Sequence, residues 1–195
     1  SGLSAKFILI LNPDILINQE EINLLKKNLL NKKVKIVSPL LHNNDGSIQD
    51  SIRILPTIID IFKRVLLNNS FTVNYTFNKI IKAPFVHGAC IMMLIKDFQS
   101  INGFDERFFL YCEDMDLCRT IYENNYSVVV DSKIKVTHTH KKASRKSIKL
   151  FIIHLYSFFL YGTKDHDTAH HILLHGADNN GGLMHHMFDI ANILF

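Results

Sequence analysis

The sequence has no tryptophan, only four prolines and eight glycines, and three cysteines among 195 residues. An odd number of cysteines without a Cys-x-x-Cys pair argues against a disulfide framework and favours a reducing, cytoplasmic compartment. The net charge of +4 is too small to predict a nucleic-acid partner. No apolar run reaches the ~18 residues that span a bilayer, and the first residues lack the pattern of a signal peptide.

Apolar residues make up 47% of the chain and include 14 phenylalanines, enough for one domain with a sizeable core. Runs typical of buried strands, Phe7–Leu11 and Ala89–Ile95, alternate with helical patterns over Gln19–Asn31, capped by Asn18, and Glu113–Asn125. An exposed strand over Ser47–Leu55, a helix from Pro56 and short strands over Ser127–Asp131 and Lys135–His138 are also predicted. This order predicts an α/β sandwich with a mostly parallel sheet, in which Phe7–Leu11 is a central strand. Ligands bind such sheets outside the carboxyl ends of the strands.

Asn12-Pro13-Asp14 follows the first predicted strand directly. One interpretation is a turn that ends the strand through an Asx-type hydrogen bond. The other is a carboxylate for a divalent cation that bridges phosphates, because Mg²⁺ prefers one or two carboxylates together with phosphate oxygens.

Three acids, Glu113, Asp114 and Asp116, lie within four residues at a predicted helix start. Acids at this position complement the helix dipole. Their number exceeds what a cap requires, so one of them could serve as a general base toward an acceptor hydroxyl.

Histidines mark two further positions. His138 and His140 project from one face of a short predicted strand, as structural side chains or as metal ligands. His87 precedes Gly88, which permits close backbone approach, and His87 is a candidate ligand contact.

Five segments in this order and spacing resemble the second half of bacterial family-2 glycosyltransferases of the GT-A fold, in particular the rhamnosyltransferase-like group. They are Ile8–Ile17, Asp45–Thr57, Phe85–Leu94, Ile101–Ile121 and Val136–Ser144. The resemblance implies an α/β, GT-A-like (Rossmann-related) mixed sheet flanked by helices. It also implies an inverting enzyme that transfers a sugar, as from dTDP-rhamnose, to a lipid-linked glycan in the synthesis of O-antigen or other cell-surface polysaccharide.

By the same resemblance, Asp14 coordinates Mg²⁺ or Mn²⁺ on the donor diphosphate. Asn12, also on the donor side, replaces the first acid of the family's Asp-x-Asp-like motif. His138 completes the metal site, with His140 as an alternative ligand.

The resemblance makes Asp114 the catalytic base, with Glu113 as the alternative. His87, Gly88 and Asp116 are then expected on the acceptor side.

The chain departs from the family in two ways. The strands that hold the nucleotide in the family are not present, so we expect an N-terminally incomplete domain over 1–145 with an uncovered sheet edge suited to self-association. A truncated, non-catalytic remnant or interaction module is the alternative function. Residues 146–195 are expected to form a helical extension with a histidine-rich tail, for which a metal role and a foreign or frame-shifted origin are both open.

Lys141–Gly162 joins five cations to an apolar, aromatic-rich stretch. It is expected either to pack as a helix on the sheet, with Leu150, Ile153 and Phe158 facing inward, or to dock on the inner face of the bacterial cytoplasmic membrane.

Overall fold

The computed structural model describes residues 5–55, 79–139 and 148–164. These ranges contain eight strands: β1 (Phe7–Leu11), β2 (Ile15–Leu16), β3 (Val34–His42), β4 (Ile52–Arg53), β5 (Ile80–Lys82), β6 (Phe85–Val86), β7 (Cys90–Leu94) and β8 (Ser127–His138). They also contain four helices: α1 (Gln19–Asn28), α2 (Ile95–Ser100), α3 (Glu113–Glu123) and α4 (Ile148–Thr163). The helix predicted from Pro56, His140 and the histidine-rich tail lie outside the described residues.

The main sheet has the strand order β1-β7-β3-β8-β2, with β5 also paired to β8. Among the described strand pairs, β3–β8 is parallel and the others are antiparallel. The mostly parallel sheet that alternation predicted is therefore wrong, because β7 is inserted between β1 and β3 in the opposite direction. The mixed sheet flanked by helices is confirmed.

The strand β1 was expected in the middle of a sheet, buried on both faces. Its residues are only partly buried, and in the described part of the chain it pairs with β7 alone. Its faces nevertheless contact both cores, Ile8 and Ile10 one of them and Phe7 and Leu9 the other. Self-association through this edge stays a prediction.

The sheet separates two hydrophobic cores. Val128 and Val130 of β8 point to the core beneath α3 and α4, whereas Val129 points to the core beneath α1. This alternation follows from the two-residue period of a strand. On the first face α3 contributes Leu117 and Ile121.

The predicted start of α1 is confirmed in detail. Glu21 N–H donates to Asn18 Oδ1 at 2.9 Å, and Asn18 N–H donates to Glu21 Oε2 at 2.7 Å, a reciprocal capping box. The helix ends at Asn28, earlier than the predicted Asn31. Leu25 within the helix and Leu29 directly after it are buried.

Two strand predictions need correction. The exposed strand predicted over Ser47–Leu55 is reduced to β4, which pairs with β6, and Ile52 within it is buried. The two short strands predicted over Ser127–Asp131 and Lys135–His138 form one strand, β8. Its pairing with β3 shifts between Asp131 and Lys135, where Ser132 bonds the backbone of Lys79 instead.

The described part of the C-terminal extension is helical and packs on the first core through Leu160 and Tyr161. This supports the packed-helix interpretation, although the predicted inward residues Leu150, Ile153 and Phe158 are only partly buried. The domain boundary at residue 145 stays a prediction. Within the described ranges no helix has the length and apolar character to cross a membrane.

Candidate active site

Asp14 and His138 come together because β2 pairs with the end of β8. Ile15 lies opposite His138 in the ladder, and Thr139 N–H donates to the Asp14 carbonyl at 3.0 Å. The turn before β2 is fixed by Asn12, whose backbone N–H donates to the Ala89 carbonyl. Asp14 Oδ1 lies 3.2 Å from His138 Nε2. The predicted proximity of Asp14 to His138 is confirmed.

Gln49 fixes the protonation pattern of the His138 ring. Its Nε2 donates to the His138 carbonyl at 2.7 Å and to Asn43 Oδ1 at 2.8 Å, which leaves its Oε1 facing His138 Nδ1 at 2.8 Å. Nδ1 must therefore carry a hydrogen, since a carbonyl oxygen can only accept. The other nitrogen, Nε2, faces the Asp14 carboxylate. A proton or a bound cation between Nε2 and the carboxylate would make this contact favourable.

The donor set fits a divalent cation. A carboxylate oxygen and a histidine nitrogen, the latter oriented by an amide through its second nitrogen, are typical of metal ligands with their supporting contacts. No group of three or more potential ligands occurs among the residues that the structure describes. The remaining ligands would have to come from a bound phosphate, from water or from residues outside those ranges.

Asp114 is the most constrained carboxylate of the site. Its Oδ2 accepts from Gly88 N–H at 2.7 Å and its Oδ1 from Met115 N–H at 2.8 Å. Burial raises the pKa of Asp114, and these backbone hydrogen bonds oppose that shift. The carboxylate is thus aimed by the backbone while its environment makes it a stronger base than an exposed aspartate.

Glu113 is partly buried beside Asp114, and its Oε2 accepts no hydrogen bond from the described residues. Burial, and then the negative charge of Asp114, raise the pKa of Glu113. Glu113 is therefore a second carboxylate that gains basicity, with one oxygen that accepts no hydrogen bond within the described ranges.

His87 and Gly88 connect the two halves of the site. His87 N–H donates to the Ser51 carbonyl, next to β4. The His87 ring lies 6.4 Å from the His138 ring, centroid to centroid, and Gly88 holds Asp114. The structure therefore brings the predicted metal side and the predicted base side to one region.

Asp116 is placed differently. Lys164 Nζ binds both of its carboxylate oxygens at 2.6 Å, at the contact between α3 and α4. Burial raises the pKa of Asp116 and the Lys164 ammonium opposes the shift. Its observed contact is thus structural, and a role toward the acceptor stays a prediction.

Gln49 was missed by the sequence analysis as a functional residue. It lies inside the segment Asp45–Thr57 that carried the resemblance, which was the available signal. A single glutamine beside a turn has no compositional feature that distinguishes it from a solvated side chain.

Gly88→Ala is expected to displace the Asp114 carboxylate. A Cβ at position 88 would lie 3.0 Å from Asp114 Cβ and 3.2 Å from its Oδ2, so the helix start must shift. We expect a loss of about 1–3 kcal/mol in the free energy of unfolding, as in other overpacked sites. Chemical denaturation measures it. An unchanged stability would contradict this packing. Gly46→Ala is the comparison: Gly46 has a positive φ and a Cβ there meets no neighbour within 4 Å, so this variant measures backbone strain without overpacking.

Glu113→Gln is expected to stabilise the protein at neutral pH. A carboxyl whose pKa is raised on folding costs stability once it ionises, so the penalty is absent below its unfolded pKa and grows as pH rises through that value. The melting temperature of the variant should exceed that of the wild type at pH 7 and equal it at pH 4. A variant less stable than the wild type at pH 7 would show that Glu113 makes a favourable charged contact.

No protein-family model matches the chain. The chain is 28% identical over 116 residues to rhamnosyltransferase WbbL of Escherichia coli K12, a match that covers 57% of this chain and 44% of that protein. It is 26% identical over 136 residues to the N-acetylglucosaminyl-diphospho-decaprenol L-rhamnosyltransferase of Mycobacterium tuberculosis H37Rv, covering 60% of this chain and 44% of that protein. The chain therefore spans less than half the length of these relatives.

The fold is also found in a solved glycosyltransferase. The crystal structure of GalNAc-T7 with UDP, GalNAc and Mn²⁺ superposes with a TM-score of 0.54 at 11% sequence identity, over 79% of this chain and 30% of that chain. The resemblance that the motifs indicated is confirmed: the chain has a GT-A-like fold and is similar in sequence to rhamnosyltransferases over about three fifths of its length.

Proposed function

We propose that the chain is the catalytic portion of an inverting, divalent-metal-dependent glycosyltransferase. The observation that carries the proposal is the convergence of the Asp14–His138 pair with the Gly88-bound Asp114 in one region. The similarity to rhamnosyltransferases points to rhamnose as the sugar and to a dTDP-linked donor.

In this proposal Asp14 and His138 hold Mg²⁺ or Mn²⁺ together with the donor diphosphate, and Gln49 keeps Nε2 of His138 available as a ligand. The cation would neutralise the charge that develops on the diphosphate leaving group. An acceptor hydroxyl oxygen forms the new bond to the anomeric carbon while the bond from that carbon to the phosphate oxygen breaks. The hydroxyl proton passes to a carboxylate of α3.

Asp114 is our first choice for the carboxylate that takes this proton, and Glu113 is the alternative. Both gain basicity through burial. The Gly88 and Met115 amides give Asp114 a fixed direction, and a base requires such geometry before it requires a suitable pKa. Glu113 Oε2 accepts no hydrogen bond from the described residues, which leaves it free to approach a substrate hydroxyl. The kinetics of the two variants decide between Asp114 and Glu113.

The donor site can be tested through the melting temperature of the longest natural form of the protein that carries this chain. We expect Mn²⁺ together with dTDP to raise the melting temperature more than Mn²⁺ alone does at the same ionic strength. A folded protein that responds to neither would favour the alternative, a remnant that keeps the fold without binding a donor. Transfer itself should be assayed in the longest natural form of the protein that carries this chain.

The acceptor we propose is a lipid-linked glycan, in cell-surface polysaccharide synthesis of the O-antigen type. The decaprenol in the name of the mycobacterial relative supports this class. Leu155 and Phe159, one turn apart on α4, are exposed by 38% and 49%. With the cations of Lys141–Lys149 they suit an anionic bilayer surface, the inner face of the cytoplasmic membrane.

Membrane docking has a matched test. Phe159→Ser should lower the fraction of protein that sediments with anionic vesicles several-fold, because it removes an exposed aromatic from the proposed contact. Leu30→Ser, which removes a 72% exposed leucine just beyond α1 on the other face of the sheet, should leave sedimentation unchanged. Equal sedimentation of all three proteins, or binding to neutral vesicles alone, would contradict the proposal.

A further inference from the structure

The backbone immediately before Glu113 and Asp114 has an unusual conformation. Tyr111 and Cys112 both have positive φ, 70° and 67°, in the left-handed region that residues with a Cβ adopt only when their surroundings over-determine it. Cys112 also occupies the N-cap position of α3 without a side-chain hydrogen bond to the helix. The direction in which α3 begins is therefore not encoded by its own capping sequence.

The helix α4 contacts both Leu110 and Tyr111, the first through its carbonyl and the second through its ring. Ser157, which is 1% exposed, donates its hydroxyl to the Leu110 carbonyl at 2.7 Å. The Tyr111 ring stacks on His154, with 4.5 Å between ring centroids and 28° between planes. These contacts fix the peptide that precedes the left-handed pair and the side chain of its first residue.

The end of α4 and the residue after it also bind α3. Arg119 donates to the Tyr161 carbonyl at 3.2 Å, and Lys164, directly after α4, pairs with Asp116. The carboxylate of Asp114 lies in sequence between the loop held by Ser157 and the turn held by Lys164. A rigid connection at both ends restricts the rotation of the first turn of α3.

We propose that Ser157 is a positioning residue for Asp114. Its hydrogen bond to Leu110 maintains the left-handed conformation of Tyr111 and Cys112, and this conformation aims the Asp114 carboxylate at the Gly88 amide. The consequence for catalysis rests on the proposed function, but the positioning itself is a property of the folded chain.

The Gly88 amide gives a readout that needs no substrate. Its proton is donated to Asp114 Oδ2, so displacement of the carboxylate should move its NMR resonance upfield and raise its hydrogen-exchange rate about tenfold. We expect both changes in Ser157→Ala. Ser132→Ala is the matched control: Ser132 is equally buried and its hydroxyl donates to the Lys79 carbonyl at 2.8 Å, far along the chain from this loop. It should leave the Gly88 amide unchanged.

Two further variants keep the test decisive if Ser157→Ala folds poorly. Ser157→Cys retains the size with a weaker donor and should give a smaller change of the same sign. Cys112→Gly in the Ser157→Ala background should restore the Gly88 resonance in part, because glycine adopts positive φ without strain. A Gly88 amide that is the same in the wild type, Ser157→Ala and Ser157→Cys would overturn the proposal.

In an active form of the protein, Ser157→Ala should lower kcat by about 10- to 100-fold with donor affinity unchanged, the effect of a misplaced reacting group. An active enzyme whose kcat is unaffected while the Gly88 resonance moves would overturn the positioning role in catalysis. Absence of transfer by the wild type would instead overturn only the proposed function.

Discussion

Asp14→Ala is expected to abolish metal-dependent binding of the donor diphosphate. Asp14 supplies the carboxylate that faces His138 Nε2 at 3.2 Å. Without it the imidazole would be the only ligand of this pair. Loss of a supporting contact alone typically costs 10–100-fold in metal affinity, and loss of a ligand should cost at least about 100-fold on that scale. Calorimetry with Mn²⁺ and dTDP, on the longest natural form of the protein that carries this chain, measures the change.

Two variants make this experiment specific. Asp45→Ala removes an exposed carboxylate whose hydrogen bonds among the described residues are to Ser47, and this variant should bind Mn²⁺ and dTDP like the wild type. Gln49→Leu removes the acceptor of His138 Nδ1 and should weaken Mn²⁺ by about 10–100-fold. Unchanged Mn²⁺ affinity in Asp14→Ala would show that the contact with His138 is a simple ion pair and would remove the proposed metal site.

The family resemblance joined Asp14 to His138, whereas the pattern of residues indicated only that each lies at the end of a predicted strand. Ligands bind α/β sheets at such strand ends. The start of α1 could be predicted from its own sequence, since Asn18 caps the helix through its immediate backbone neighbours.

The direction of β7 could not be predicted in this way. A strand such as Cys90–Leu94, buried on both faces, has the same apolar composition whether its neighbours are parallel or antiparallel. The choice depends on the path of the chain between β3 and β7, which the sequence of the strand itself does not determine. The resemblance to a family with a mixed sheet carried this information, and the pattern of residues did not.

The first turn of α3 shows a third case. The acids Glu113 and Asp114 were readable as a helix start, but the left-handed pair before them contains neither glycine nor asparagine, the residues that signal such a conformation. Its support comes from Ser157 and His154, more than forty residues downstream. A local pattern cannot report a conformation that a distant helix imposes.

Asp114→Asn is expected to lower kcat by about 10²–10⁴-fold, the usual contribution of a general base, while donor affinity stays near that of the wild type. In the proposed function the carboxylate acts on the acceptor hydroxyl, whereas Asp14 and His138 hold the cation on the donor diphosphate. The comparison requires an active form of the protein, with Kd for dTDP and Mn²⁺ measured alongside kcat. Equal loss of donor binding would reassign Asp114 to the metal side of the site.

The pH profile distinguishes Asp114 from Glu113. A base is active when ionised, so kcat/KM should fall about tenfold per pH unit below its pKa, and burial places this limb above the ordinary aspartate value. Asp114→Asn should remove the limb, and Glu113→Gln should retain it. The converse result would make Glu113 the base. Asp116 lies on the same helix, but its carboxylate binds the Lys164 ammonium and does not face the Gly88 amide. Asp116→Asn should therefore reduce stability and keep the limb.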